Sequence, residues 1–228
     1  MKYIIIGLGN FGSSLAQKLT RTGHEIIGVD KNLDKVKAHK EKITHAICMD
    51  CSDQQAAKRL PLKDTDIVIV CIGEDEGANL MVTALMKQNK VKRLISRAIS
   101  PLHETILEAM GIIEIIHPEE ETAERWTKKL TMKGIVDSFS LDPEYSIIEA
   151  KVPEKFTGQK LAQINTIRNY GVLILTTIKI IETHNILGAS RNITKVQGVA
   201  SSETVLEADD ILVMYGKIKD IERFLKGG

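Results

Sequence analysis

The chain has 228 residues, 31 Lys+Arg against 30 Asp+Glu, and a composition that is 43% hydrophobic, 27% charged and 4% aromatic. That length and balance describe a core-forming chain of one or two domains, not a disordered one, and a net charge of +1 gives no basic stripe for nucleic acid. No apolar run reaches the roughly 18 residues of a membrane span, and three cysteines do not make a disulfide framework and fit a reducing compartment.

In chain order, residues 1–117 repeat one unit: a β-branched run, a polar or glycine turn, then an amphipathic stretch. The runs are 3–6, 25–30, 45–49, 66–72, 93–96 and 112–116, with helical patterns starting near Phe11, Leu33, Asp53, Asp75 and Pro101. Runs apolar on both faces that alternate with helices predict a six-stranded, doubly wound parallel Rossmann sheet, α/β in class. Gly23 and Gly111 sit where helices stop, and Pro101 where one starts. From His117-Pro118 the text changes. Glu119, Glu120 and Glu121 lead, Lys128, Lys129 and Lys133 trail, and Trp126, Leu130 and Met132 with Ile135 and Val136 make an apolar stripe. This predicts a long connecting helix over 118–137, too apolar for solvent and therefore expected at a subunit interface. Runs 145–152, 172–181 and 211–215, with helical patterns 159–169 and 217–226, predict a smaller α+β domain over 138–228. The stretch 183–202 has two glycines and no period, and reads as a loop.

The chemistry concentrates at Gly7-Leu8-Gly9-Asn10-Phe11-Gly12, between the first strand and the first helix. In the G-x-G-x-x-G fingerprint, Gly7 permits the turn, Gly9 lets a pyrophosphate approach the backbone, and Gly12 lets helix and strand pack closely. Asp30 ends the second strand, where a carboxylate accepts from ribose hydroxyls. Asp50-Cys51 at the third strand's end is placed beside an adenine, Gly73-Glu74 at the fourth beside phosphates, and Arg97 at the fifth adds a cation to the rim or pairs with a carboxylate. No arginine follows Asp30 to receive a 2′-phosphate, although Lys31 is adjacent.

Cys48-Met49-Asp50-Cys51 offers a redox pair or half a zinc site on paper, but residues three apart in a strand face opposite ways and no second ligand pair exists. Cys71 lies in a core run, and of the six histidines His117 is the one expected near the crevice, in a structural role. No nucleophile elbow or P-loop lysine is present. A nicotinamide-dependent oxidoreductase remains the alternative reading, without a convergent acid–base set to support it.

The fingerprint, the VDKN that ends the second strand, IIHPEEE at the sixth, and the distal TVLEADDILVMYGKIKDIERF together closely resemble the cytosolic regulatory subunits of Trk/Ktr-type potassium uptake systems, which are built from RCK domains. The resemblance implies a regulator and not an enzyme. It implies a homodimer that assembles into a ring, often octameric, on the cytoplasmic face of a membrane potassium-translocating subunit, with NAD or ATP/ADP in the crevice changing the ring's shape. Carried over by motif, Gly7 to Phe11 hold phosphates, Asp30 and Asn32 the ribose, Asp50 and Cys51 the adenine surround, and Gly73, Glu74 and Arg97 the rest. Glu119 would reach a phosphate-bound divalent cation near the dimer axis. Asn10 stands where many ATP-responsive members carry an arginine, and 183–202 departs from the relatives' tight hairpin, so no ligand is carried over for the distal domain.

Overall fold

The structure is a computed structural model that describes residues 1–131, 134–184 and 190–226. The chain divides into two units, Met1–Glu120 and Glu121–Gly228.

The first unit alternates strand and helix. Its elements are β1 (Lys2–Ile6), α1 (Asn10–Arg21), β2 (Glu25–Asp30), α2 (Leu33–His39), β3 (His45–Cys48), α3 (Gln54–Ala57), β4 (Ile67–Val70), α4 (Glu76–Gln88), β5 (Leu94–Arg97), α5 (Pro101–Ala109) and β6 (Glu114–Ile116). All six strands are parallel, in the order β3-β2-β1-β4-β5-β6. On β1, Ile4 and Ile6 enter one core with Val29, Val68, Val70 and Met86, while Tyr3 and Ile5 enter the other with Ile26, Ile69 and Ala16. Burial on both faces explains why these strands read as unbroken apolar runs. Local chemistry punctuates them. Asn32, Asp53, Asp75 and Ser100 cap α2, α3, α4 and α5 with their side chains, and Gly23 and Gly111 follow helices at φ +86 and +72. Strand order reverses between β1 and β4, which opens a crevice at their carboxyl ends.

After β6 in the chain comes α6 (Pro118–Thr131). Trp126 and Leu130 are exposed on it, but Ile135 and Val136 are not helical; they begin β7 (Ile135–Ser140), where Ile135 is buried. The apolar stripe expected through 136 therefore stops with the helix, and Met132 lies outside the described residues.

The second unit continues with β8 (Tyr145–Lys151), α7 (Leu161–Ile164), α8 (Thr166–Tyr170), β9 (Leu173–His184), β10 (Ser190–Val196), β11 (Ile211–Lys217) and α9 (Ile218–Leu225). The strands make an antiparallel sheet ordered β10-β9-β11-β8-β7. Its core joins Ile148, Leu212, Met214 and Ile221 to Phe156 and Phe224, whose rings stack with centroids 4.8 Å apart. Two expectations change here. The helix expected over 159–169 is two short ones broken at Asn165, which sits at φ +50. The stretch expected as a loop over 183–202 contains β10, paired from Ser190↔His184 to Val196↔Ile178.

Candidate functional site

The crevice of the first unit is a cleft of about 290 Å³, at the small end of the range for small-molecule sites. The three fingerprint glycines do different things there. Gly7 has φ +100, and a Cβ on it would lie 2.9 Å from Ile72 N, so both conformation and space demand glycine. Gly12 has no room either: its Cβ would collide with the Gly7 carbonyl oxygen and come within 3.0 Å of Cys71 Cβ. Gly9, the residue that caps α1, has φ −67 and ψ −171, a conformation open to any residue, and its Cβ would meet nothing within 4 Å. Nothing in the described chain requires Gly9 to be glycine. It borders the cleft with Asn10 and Phe11.

Asp30 is 9% exposed and holds two loops at once. Its Oδ2 accepts from the Leu8 amide at 2.8 Å and its Oδ1 from the Asn32 amide at 2.8 Å. Leu8 itself is buried, and with Gly12 it supports the turn from behind without lining the cleft. Asn32 also lies off the lining; its side-chain oxygen accepts from Asp34 N and Lys35 N as the cap of α2. Asp50 lines the cleft, and two hydrogen bonds from Ser52, side chain first and then backbone, hold its carboxyl below the usual range. Cys51 beside it is buried. Burial, with the charges of Asp50 and Asp30, pushes its thiol up to about 12, far from a reactive thiolate. Cys48 is exposed, so the two halves of the C-x-x-C occupy unlike environments.

Across the cleft, Gly73 lies directly under the Arg97 guanidinium, which a Cβ at Gly73 would strike. Arg97 is half-buried, and its Nη2 donates to Glu119 Oε1. Its position is fixed from below by Asn79, which is fully buried on α4. Asn79 Nδ2 donates to Ile72 O at 2.9 Å and to Arg97 O at 3.1 Å, while its Oδ1 accepts from Ser96 Oγ at 3.0 Å and from Thr83 Oγ1 at 3.3 Å. Two ion pairs cross from the β2 side to the β4 side: Lys35 to Glu74 at 3.1 Å and Lys31 to Asp75 at 3.9 Å. The sequence reading places neither Asn79 nor Lys35 at the site and gives Asp75 only as a helix start. A polar residue on the buried stripe of α4 was the available signal for Asn79.

Among the described residues, no group of three acidic, His or Cys side chains is placed to hold a metal ion. Glu119 gives its carboxylate to Arg97. His117 faces Glu104 at 3.2 Å and is not among the residues lining the cleft. His103 is buried, and desolvation lowers its pKa.

Comparison with known proteins adds the rest. Residues 3–118 match the TrkA-N domain family. The Ktr system potassium uptake protein A of Bacillus subtilis (strain 168) is 30% identical over 227 residues, covering 100% of this chain and 96% of that protein. Among solved structures, the GsuK RCK domain aligns with a TM-score of 0.61 at 17% identity, over 99% of this chain and 47% of that one. The GsuK channel bound to NAD aligns with a TM-score of 0.62 at 17% identity, over 100% of this chain and 39% of that one. The chain thus spans less than half of either structural neighbour, and these two likenesses establish the fold. With a Rossmann unit matched to the family and a likeness to a Ktr protein along its whole length, the chain belongs to the TrkA-N domain family of potassium uptake proteins.

Proposed function

We propose that the chain is the nucleotide-binding regulatory subunit of a potassium uptake system, acting on a membrane potassium-translocating partner. The observation that carries the nucleotide reading is Gly9. Gly7 and Gly12 are explained by the chain's own geometry, whereas nothing in the described chain crowds a Cβ at 9, so a glycine there suits something that approaches the backbone from the cleft. A pyrophosphate over Gly9 would meet the amide end of α1, which has no side-chain cap. Asp30, buried at the cleft edge, would accept from a ribose. Met49, Asp50 and Cys51 offer the adenine a mixed wall, and Gly73, Glu74 and Arg97 face the phosphates. Asn32 would act on the ribose edge through its amide to Asp30.

The ligand class is an adenine nucleotide: NAD, as in the GsuK channel bound to NAD, or ATP/ADP. Asn10 leaves Arg97 as the cleft's guanidinium. The chain would act as a homodimer assembling into an octameric ring at the cytoplasmic face of the membrane, with residues 138–228 as the ligand-sensing part. Among the described residues, no helix is long and apolar enough to cross a membrane. Exposed Trp126 and Leu130 on α6 suit a subunit contact. Gating requires that nucleotide affinity differ between two ring shapes. Turnover is not part of the reading, which assigns the cleft to binding.

Thermal unfolding against ADP, ATP, NAD+ and NADH tests the binding step. A selective ligand at a hundred times its Kd adds about 2.7 kcal/mol. Potassium uptake by cells carrying the membrane partner, with and without this chain, tests the regulatory step. No stabilisation by any of the four nucleotides would refute the first, and uptake indifferent to the chain the second.

A further inference from the structure

One histidine of the first unit is buried where nothing answers its ring. His103, on the first turn of α5, is 1% exposed, and neither Nδ1 nor Nε2 has a hydrogen-bond partner among the described residues. Its backbone N–H is satisfied by the Ser100 cap, so the ring alone is left unpaired. His103 and Leu107 are the buried residues of α5 and lie one turn apart on its inward face. Leu107 packs there with Ala98, Ile112 and, from α4, Leu80. One turn before Leu80 stands Glu76, exposed at the start of α4, and its carboxylate is the one charge among the described residues that acts on the His103 ring. The other charged groups nearby are engaged elsewhere: Glu104 of α5 faces His117 at 3.2 Å, and Arg97 at the end of β5 donates to Glu119.

A neutral imidazole carries one N–H and one bare nitrogen, and in this place both go unpaired. Protonation adds a second N–H and a full charge in the same apolar surroundings, where a charge is far less welcome than in water. We propose that His103 is a proton-operated catch on α5: neutral, it seats the helix on the first unit, and protonated, it releases that seat as the ring turns out to Glu76. The charge of Glu76 favours the protonated ring, but burial outweighs it and lowers the pKa. The direction follows from that balance. The opened helix takes up the proton at an ordinary histidine pKa of about 6.5, the seated helix only at lower pH. The hold on α5 is therefore complete above about 6.5 and is lost progressively below it, down to the pKa of the seated ring. The device rests on the fold of the first unit and not on the nucleotide reading. Released, α5 would carry its exposed Leu102 and Ile106 with it, so acid would alter the outer surface beside β5 and β6.

The test is hydrogen exchange read by mass spectrometry at about pH 7.5 and about pH 5.5, corrected for intrinsic rates, on the parent chain, His103→Leu, His103→Gln and His117→Gln. A proton that binds the opened helix alone shifts its opening equilibrium by about tenfold per pH unit below about 6.5. Peptides spanning α5 should therefore lose about tenfold in protection at the lower pH in the parent chain. His117→Gln keeps the buried ring and should show the same loss. Neither leucine nor glutamine titrates, so in a folded His103 variant the α5 peptides should be equally protected at both pH values. Equal protection of α5 at both pH values in the parent would overturn the proposal. So would the parent's acid loss in a folded His103 variant, or its disappearance in His117→Gln.

Discussion

Asparagine is the nearest chemical relative of aspartate, yet Asp30→Asn is predicted to be at least as damaging as Asp30→Ala. Each Asp30 carboxylate oxygen faces a backbone N–H, from Leu8 on one side and Asn32 on the other, both at 2.8 Å. An amide has one oxygen and one NH2, so in either orientation one backbone donor meets another donor. A hydrogen bond to a charged group contributes about 1.5–3 kcal/mol, and a buried unsatisfied N–H costs about 1–3 kcal/mol. The Leu8 bond is buried and the Asn32 bond partly so; taking the lower part of both ranges gives a loss of about 2–4 kcal/mol in the first unit. Hydrogen exchange read by mass spectrometry on peptides spanning the β1–α1 turn measures this without a ligand. A loss of 2 kcal/mol speeds exchange by about 30-fold, at 1.4 kcal/mol per factor of ten. Parent-like protection of that turn in Asp30→Asn would show that the carboxylate does not pin the loops and would refute the reasoning.

Three further predictions follow from single environments. Gly12→Ala should destabilise the first unit by about 1–3 kcal/mol or more, because its Cβ has only the Gly7 carbonyl to displace; unfolding by urea measures it. Under native alkylation at mildly alkaline pH, Cys48 should be labelled while Cys51 and Cys71, both pushed up to about 12 by burial, stay protected; peptide mapping identifies the labelled thiol. Asp210 is buried and desolvation raises its pKa, so the folded chain holds that proton to higher pH than the unfolded chain, and ionisation above that range opposes folding. Asp210→Asn should therefore unfold at higher temperature near neutral pH. The gain should vanish as pH falls below roughly 4, where folded and unfolded chains are both protonated.

What the sequence discloses and what it hides divide along one line: whether the determinant is local. The glycine pattern between β1 and α1, the acidic end of β2 and the helix caps are each written in residues a few positions apart, and the alternation of apolar runs and amphipathic stretches carries the parallel sheet. The Arg97–Glu119 pair is different, since residues 22 apart meet only because the ends of β5 and α6 reach the same crevice. Asn79 joins the Ile72 carbonyl, just past β4, to the Arg97 carbonyl at the end of β5, a pairing that no spacing announces. In β10 the sequence SRNITKV has apolar residues at 193 and 196, three apart and out of phase with a strand, so pairing with β9 and not periodicity makes it extended. Asn165 interrupts an otherwise helical text by taking a left-handed conformation that asparagine tolerates.

The central claim is that the β1–α1 cleft binds a nucleotide over Gly9, and Gly9→Val isolates it. The backbone at 9 is in a region that valine adopts, a Cβ there meets nothing within 4 Å, and valine as a helix cap costs about 1 kcal/mol. The variant should keep close to the parent's unfolding temperature while calorimetry with ADP, ATP and NAD+ registers no binding heat. A folded Gly9→Val chain that binds these nucleotides with the parent's affinity would contradict the account.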